Sequence, residues 1–157
     1  MAKATPARGH TVAQHRRARF DYEILQSYDA GLALLGSEVK SIRAGHATLA
    51  EGYCRFHDGE LWLYNVHIAP YLPARENHEP TRARKLLLHR RELERLRAAM
   101  EEQPRTTVIP LRLYLHDGRI KAEVGLARGK RRYDKREAIK EREATRSMQR
   151  ALRHSVR

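Results

Sequence analysis

The chain has 157 residues, with 41% hydrophobic residues, 32% charged residues and a formal charge of +13, which suits one basic globular domain. Its apolar runs are only a few residues long, whereas a membrane-spanning helix needs about 20, and its single cysteine excludes an intrachain disulfide or a cysteine-based zinc site. Since the N-terminus also carries no apolar signal segment, the composition predicts a soluble cytoplasmic protein.

The positive charge lies at the two ends of the chain. Residues 1–19 carry five basic and no acidic groups, residues 128–157 carry twelve basic and four acidic groups, and residues 20–127 carry fifteen of each. Basic ends of this density indicate a polyanionic partner, and nucleic acid is the usual one. A basic surface kept only for solubility is the alternative, although solubility does not require such segregation.

The first part of the chain predicts an arm followed by strands. Residues 1–19 have no hydrophobic period and predict a basic mobile arm. The apolar runs at 22–28 and 32–35 flank a glycine-containing segment, residues 29–31, and this arrangement predicts a hairpin.

Two helices and a long loop are predicted in the middle of the chain. Ser37 is the expected N-cap of a short helix that Gly45 ends. Residues 70–85 contain proline and arginine without periodicity and predict a long loop, a feature that is often functional. A helix is then predicted from Leu88 to Glu102, with apolar residues three and four apart.

Two Asp-Gly pairs give the strongest local signals. Asp58-Gly59 and Asp117-Gly118 each separate alternating segments, and Asp-Gly accepts the positive φ angles of a type I′ hairpin turn. The segments at 61–68, 111–115 and 120–126 each predict a strand with one apolar face. Six antiparallel strands in all are predicted, and they close most simply into a small barrel that spans residues 20–127, with two helices at its periphery.

The C-terminal tail, residues 128–157, differs from the rest in composition. Its apolar stripe of Ala144, Met148, Ala151 and Leu152 is thin and its charge opposes compaction. We expect the tail to be disordered alone in water and to become helical when a polyanion neutralises it. A stable helix packed on the barrel is the alternative.

No catalytic or metal-binding constellation emerges from the sequence. The nine histidines show no i,i+4 pair, and His57 and His116 beside hairpin turns are interpreted as solvated turn residues. Cys54 is interpreted as a small packing residue. Glu38 near Lys40 is interpreted as a helical salt bridge or part of a solvated face rather than an acid–base pair.

Aromatic residues adjacent to arginines support RNA binding. An aromatic ring can stack on an unpaired base while a neighbouring cation holds the phosphate backbone. Phe20 and Tyr22 follow Arg19, and for these two rings core packing is an equal alternative. Tyr133 follows a pair of arginines in the tail, where no core is expected, so base stacking is favoured there.

Four runs of residues, in this order, are typical of one known family. They are residues 16–22 (RRARFDY), 36–45 (GSEVKSIRAG), 82–88 (RARKLLL) and 129–136 (GKRRYDKR). From about Arg16 to Arg153 the chain resembles the SmpB family, the bacterial SsrA-RNA (tmRNA) binding proteins. The resemblance implies an OB-like barrel, and a non-enzymatic role in trans-translation, the rescue of ribosomes stalled on broken messages.

The resemblance also implies two sets of site residues. Those implied to bind the tRNA-like domain of tmRNA are His15, Arg16, Arg17, Asp29, Arg43, Lys85, Leu87 and Lys130. Those implied to occupy the decoding centre and the empty message channel are Tyr133, Asp134, Lys135, Arg136, Lys140, Arg142, Arg146, Met148 and Arg150. The family usually has Asn at the position of His15 and Glu at that of Asp29.

The implied partners are tmRNA, the stalled ribosome through its small-subunit RNA and, indirectly, elongation factor Tu, with one monomer per tmRNA. No cofactor, metal or membrane is expected, and the outcome is tagging of the nascent peptide for degradation. The alternative function is a ribosomal or ribosome-assembly RNA-binding protein on the same barrel. An RNA-modifying enzyme is a third possibility, but it needs a catalytic site that the sequence does not reveal.

Overall fold

The computed structural model describes residues 9–130 and 132–155, with side chains described for 9–130 and 136–154. Nine strands and four helices lie within these residues. They are, in chain order, β1 (His10–Gln14), α1 (Ala18–Asp21), β2 (Tyr22–Leu32), α2 (Gly36–Arg43), β3 (Ala47–Thr48), β4 (Tyr53–His57), β5 (Glu60–Tyr64), β6 (His67–Ile68), β7 (Arg84–Leu87), α3 (Arg90–Glu102), β8 (Thr106–His116), β9 (Arg119–Gly129) and α4 (Arg132–Ser155).

Seven strands form one antiparallel sheet in the order β1-β8-β4-β5-β7-β2-β9, and β8 also pairs with β9. The pairings therefore return to β8 through six strands, while β1 extends from β8, and β3 pairs with β6 separately. The prediction of a mainly β architecture with peripheral helices is confirmed. The strands differ in part, because β2 pairs along residues 22–31 with β9 rather than with residues 32–35, and β7 is an additional strand.

Both Asp-Gly turns are confirmed. Asp58 and Gly59 have φ angles of 51° and 76°, and Asp117 and Gly118 have φ angles of 49° and 74°. These turns join β4 to β5 and β8 to β9, which pair in register from the first residue beyond each turn. Positive φ at both central residues is the type I′ geometry, which matches the twist of the flanking strands.

The predicted hairpin around residues 29–31 is wrong, because β2 continues through this segment as one strand. Ala30 is fully buried opposite Ala122, and Gly31 pairs with Lys121 on one side and Leu87 on the other. A Cβ atom added to Gly31 would lie 3.2 Å from Leu87 Cβ. The small residues therefore serve close packing between strands rather than a turn.

Strands also replace parts of the predicted arm and loop. Residues 10–14, predicted as part of a mobile arm, form β1 and pair with β8. Residues 84–87, which include the end of the predicted loop and the two residues before the predicted helix, form β7 between β5 and β2. The following helix begins at Arg90 rather than Leu88. β7 lacks the apolar alternation that the prediction requires, because its buried Arg84 is charged and its exposed Leu87 is apolar.

Within the predicted strand 61–68, the residues that face the core change from odd-numbered to even-numbered positions. Leu61 and Leu63 are buried, yet so are Val66 and Ile68, which are of opposite parity. Asn65 between these pairs has a φ angle of 58°, which breaks the extended backbone and lets both pairs face the core. One uninterrupted strand was therefore the wrong expectation.

A buried ion-pair network joins α2 to β7. Glu38 and Arg84 are both fully buried, and the two oxygens of the Glu38 carboxylate accept hydrogen bonds from Arg82 Nη2 and Arg84 Nε. The Leu35 backbone N–H also donates to Glu38 Oε1, at 2.9 Å. The expectations of a solvated Glu38 and of Ser37 as the N-cap are therefore wrong: Leu35 precedes the helix, and the Glu38 carboxylate caps it.

The same network fixes the long loop between β6 and β7. Arg84 Nη1 donates to the Val66 carbonyl at 2.7 Å and Arg84 Nη2 to the Pro80 carbonyl at 3.0 Å. The buried His78 ring spans Ser37 Oγ and the Ile68 carbonyl, each at 2.8 Å. The loop is thus held at several points by buried polar groups.

We predict that Glu38→Gln destabilises the fold by about 3–5 kcal/mol, because removing one partner leaves buried guanidinium charge uncompensated. Urea denaturation measures this free energy of unfolding. The matched control is Glu94→Gln, which removes an exposed i,i+4 pair with Arg90 and should change it by no more than about 0.5 kcal/mol. Equal changes in the free energy of unfolding for the two substitutions would contradict the assignment of Glu38 as the partner of buried guanidinium charge.

The same carboxylate predicts a pH dependence of stability. Burial disfavours its charge, but hydrogen bonds from Arg82, the Leu35 N–H and Arg84 outweigh burial and lower the pKa of Glu38 below its usual value. Its stabilising contribution is therefore present above the pKa of the unfolded chain and is lost as the pH falls through the lower, folded pKa. Glu38→Gln should reduce this loss of unfolding free energy at low pH.

Candidate nucleic-acid interface

Four of the candidate RNA-binding residues surround α1. The backbone N–H of His15 donates to the Leu111 carbonyl at 2.9 Å, which fixes the chain where β1 ends. Two adjoining depressions share His15 and Asp21; Arg16 and Arg17 line the first, and Lys130 lines the second. The structure therefore brings three cationic side chains and one histidine together, and we call His15, Arg16, Arg17 and Lys130 the α1 cluster.

The other four candidates lie elsewhere. Along β2, Tyr22 pairs with Gly129 beside the α1 cluster, whereas Gly31 pairs with Leu87 at the opposite end. The nine steps along the strand from Tyr22 to Gly31 correspond to a length of about 30 Å. We call the second set, Asp29, Arg43, Lys85 and Leu87, the β2-end set. The eight residues therefore form two sets rather than one site.

The members of the β2-end set have different environments. Arg43 at the end of α2 donates through Nη2 to the Gly118 carbonyl in the β8–β9 turn, at 2.9 Å. Lys85 Nζ lies 3.8 Å from Glu60 Oε1, a partly exposed pair. Leu87 is 51% exposed, which is unusual for a leucine in a strand of the main sheet. These side chains are available to a partner at the surface.

Asp29 is an exposed carboxylate held by a buried tyrosine. Its Oδ1 accepts a hydrogen bond from Tyr114 Oη at 2.8 Å. Burial, followed by this hydrogen bond, raises the pKa of Tyr114 above its usual value, so the hydroxyl stays a donor. The Arg112 guanidinium lies 4.2 Å from the centre of the Tyr114 ring and pairs with Glu123 at 2.6 Å. Tyr114, held by Arg112 and Glu123, therefore orients the Asp29 carboxylate.

The burial of Arg112 and Tyr114 was not predicted from the sequence. Alternation placed both on the polar side of a strand, yet they are only 9% and 4% exposed. The signal was present in the turn: a two-residue loop at Asp117-Gly118 places Arg112 opposite Glu123, as the structure shows. Counting register outward from the turn would have found this pair.

The basic tail is one helix in the structure. Most described side chains of α4 are exposed, including Met148 at 68% and Leu152 at 64%, so the apolar stripe is largely uncovered. Arg136, Lys140, Arg142, Arg146 and Arg150 lie on this helix. The side chains of Tyr133, Asp134 and Lys135 are outside the described residues. The expected disorder of the free tail stays a prediction.

The tail helix meets α1 at the Phe20 ring. The Arg142 guanidinium carbon lies 5.5 Å from the ring centre and that of Arg17 lies 5.4 Å from it, both within cation–π range. Tyr22, in contrast, packs against a small core that includes Ala18 and Leu111. Core packing therefore holds for Tyr22, whereas Phe20 contacts a member of each predicted RNA-binding set.

The remaining candidate side chains lie in separate environments. Cys54 is buried, as predicted for a packing residue, and burial raises the pKa of its thiol. His57 is the exposed last residue of β4 beside the turn, and its Nε2 lies 3.3 Å from Asp58 Oδ2. In the part of the chain that the structure describes, no three His, Cys, Asp or Glu side chains are grouped to hold a metal ion. Across the same residues, no helix has the length and apolar character needed to cross a membrane.

Comparisons with known proteins agree on one family. The family described as SmpB protein matches residues 12–154. An SsrA-binding protein of Synechococcus sp. (strain JA-3-3Ab) is 58% identical over 144 residues, which cover 90% of this chain and 93% of that protein. An SsrA-binding protein of Roseiflexus sp. (strain RS-1) is 58% identical over 148 residues, 93% of each chain.

A solved structure, “tmRNA-SmpB: a journey to the center of the bacterial ribosome”, contains a chain that is also similar to this chain. Its matching chain is 50% identical, with a TM-score of 0.64, and the match covers 80% of this chain and 92% of that chain.

We predict an energetic coupling of about 1 kcal/mol between Tyr114 and Asp29, the usual size of a hydrogen bond in a folded protein. A double-mutant cycle with Tyr114→Phe and Asp29→Ala, followed by urea denaturation, measures it. The matched control is Tyr28→Phe with Gln26→Ala, which removes an exposed hydrogen bond of 2.6 Å and should show almost no coupling. Coupling that is equally small in both cycles would contradict the positioning role of Tyr114.

Proposed function

The chain belongs to the SmpB family, and from this membership we propose that it binds tmRNA and acts in trans-translation on stalled ribosomes. The observation that carries the proposal is the family match over residues 12–154, which includes both the sheet and the tail. The clustering of His15, Arg16, Arg17 and Lys130 around α1 supports it, because phosphate contacts require cations that are close together at the surface.

We propose that the six-stranded circuit is an OB-like barrel whose two residue sets grip the tRNA-like domain of tmRNA. The α1 cluster supplies mainly charge and suits the phosphate backbone. The β2-end set adds a fixed carboxylate and an exposed leucine, Asp29 and Leu87, which suit hydroxyl groups and base surfaces. Two sets about 30 Å apart fit a folded RNA better than one short strand.

The tail has a second task in this proposal. α4 carries the cations of residues 136–150 on a helix whose apolar stripe is largely uncovered. An RNA-lined channel would neutralise these cations, so we assign Arg136, Lys140, Arg142, Arg146, Met148 and Arg150, with Tyr133, Asp134 and Lys135 before them, to the decoding centre and empty message channel. The result is tagging of the nascent peptide for degradation.

The remaining partners follow from this role. We propose that one monomer binds each tmRNA, that small-subunit RNA receives the tail, and that elongation factor Tu joins indirectly through the charged tmRNA. The protein needs no catalytic step of its own, because recognition and delivery are achieved by binding. The division into an RNA-binding β domain and a basic tail is part of the same proposal, but β1 belongs to the β domain because it pairs with β8, so the predicted arm (1–19) is not a separate unit.

We predict that affinity for the tRNA-like domain falls steeply with salt. If about four to six phosphates are neutralised, log K against log salt should have a slope of about −3 to −5. Fluorescence anisotropy with labelled RNA measures the slope, and Arg17→Gln should make it shallower by about one. Arg90→Gln, at a 92% exposed side chain on α3, is the matched control and should leave it unchanged. A slope near zero would contradict phosphate binding.

We predict that truncation after Tyr133 separates the two tasks. The shortened protein lacks residues 134–157 but keeps every strand and both tmRNA-binding sets. It should bind tmRNA with nearly normal affinity and keep its thermal midpoint, while peptide tagging on stalled ribosomes is lost. Calorimetry, RNA binding and a tagging assay on one preparation measure all three. Normal tagging by the truncated protein would disprove the division.

A further inference from the structure

The outward face of three neighbouring strands is rich in aromatic residues. Tyr53 of β4 pairs with Tyr64 of β5, and Arg55 pairs with Trp62 on the same face. Trp62 in turn lies opposite Lys85 of β7. The intervening residues face the core, since Cys54, Leu61, Leu63 and Leu86 are all buried. We call Tyr53, Arg55, Trp62, Tyr64 and Lys85 the aromatic face.

These side chains already form stacked and cation–π contacts. The rings of Tyr53 and Tyr64 have their centres 5.5 Å apart with an interplanar angle of 20°. The Arg55 guanidinium carbon lies 5.8 Å from the centre of the Tyr53 ring. Tyr53 is 39% exposed, and Trp62 and Tyr64 are only half-buried. The two tyrosine rings therefore hold each other in a stacked arrangement, and all three rings are partly open to solvent.

The aromatic face connects the two separated sets of RNA-binding candidates. At one end, Tyr53 lines the same depression as His15 and Lys130 of the α1 cluster. At the other end, Lys85 is itself a member of the β2-end set and lies two residues from Leu87. A polyanion that contacts both sets along this side of the sheet passes over Tyr53, Tyr64 and Trp62.

We infer that the aromatic face is an RNA-binding surface that stacks unpaired bases of the bound RNA, an interaction that rests on the proposed function and extends it. Every nucleobase presents a π-face, so stacked tyrosines and a tryptophan accept bases without sequence preference. Arg55 and Lys85 at their sides can hold the phosphates between stacked bases. Continuity with the cationic α1 cluster favours RNA over a protein partner.

The chain provides its own probe for this inference, because Trp62 is its only tryptophan. The full-length protein is titrated with the labelled tRNA-like domain of tmRNA, with label anisotropy reporting binding and Trp62 emission reporting the aromatic face. We expect the emission to be quenched with the same midpoint as the anisotropy. We also expect Tyr53→Ala to weaken binding by at least about fivefold through the loss of one base contact. Arg55→Gln should weaken binding through the loss of a phosphate contact.

Matched variants control for folding and charge. Tyr53→Phe keeps the ring and should bind nearly as wild type. Leu72→Ala, at a 91% exposed loop residue, and Arg90→Gln, at a 92% exposed arginine on α3, should leave affinity unchanged. Circular dichroism checks the fold of each variant. If Tyr53→Ala unfolds, two other measurements test whether the aromatic face binds RNA. They are the Trp62 emission of the unaltered chain and the RNA affinity of Arg55→Gln.

The possible failures are distinguishable. Normal anisotropy without any change in Trp62 emission, together with unaltered binding by Arg55→Gln, overturns the aromatic face and leaves tmRNA binding intact. No anisotropy change with the wild-type chain overturns the proposed function and this inference together. Quenching by ribosomal proteins but not by RNA would make the face a protein-binding surface and would also overturn the inference.

Discussion

The rest of the structure depends on the pairing of Glu38 with Arg82 and Arg84. Segments that lie 44 and 46 residues apart in sequence meet in this network, in which Glu38 and Arg84 are fully buried and the Arg82 side chain is 32% exposed. Separating a buried charge from its partner costs several kcal/mol, so the pairing holds α2 and the loop before β7 against the first residue of β7. Because β7 lies between β5 and β2, the position of the whole pairing circuit follows from it.

This constraint clarifies which residues define the family signature. The run 36–45 contains Glu38, and the run 82–88 contains both of its arginine partners. Part of each run is therefore scaffold, and the functional candidates Arg43, Lys85 and Leu87 are its neighbours. A motif can be specific because two of its parts must fit each other in the core, independently of any ligand. Residues of this kind hold the neighbouring candidate binding residues in place and do not themselves need to contact a ligand.

How far the sequence predicted the fold depended on whether the signal was local. The Asp-Gly turns and the amphipathic helix that contains Leu93 and Leu96 were predicted because their chemistry lies within a few residues. The continuity of β2 and the existence of β7 were missed, since both are decided by partners far away in sequence. The Asp-Ala-Gly segment has turn composition, but strands on both sides supply its hydrogen bonds. Tertiary pairing overrode local preference there.

The closure of β9 onto both β2 and β8 has a consequence for synthesis of the chain. β2 is complete at Leu32, but its long partner β9 begins only at Arg119. At about 5–20 residues per second, β2 therefore waits on the order of 4–17 s for that partner while its edge is unpaired. Pairing between such distant segments is also intrinsically slow. The sheet closes only after β9 has been synthesised, and until then the unpaired edge of β2 leaves the nascent chain vulnerable to edge-to-edge aggregation.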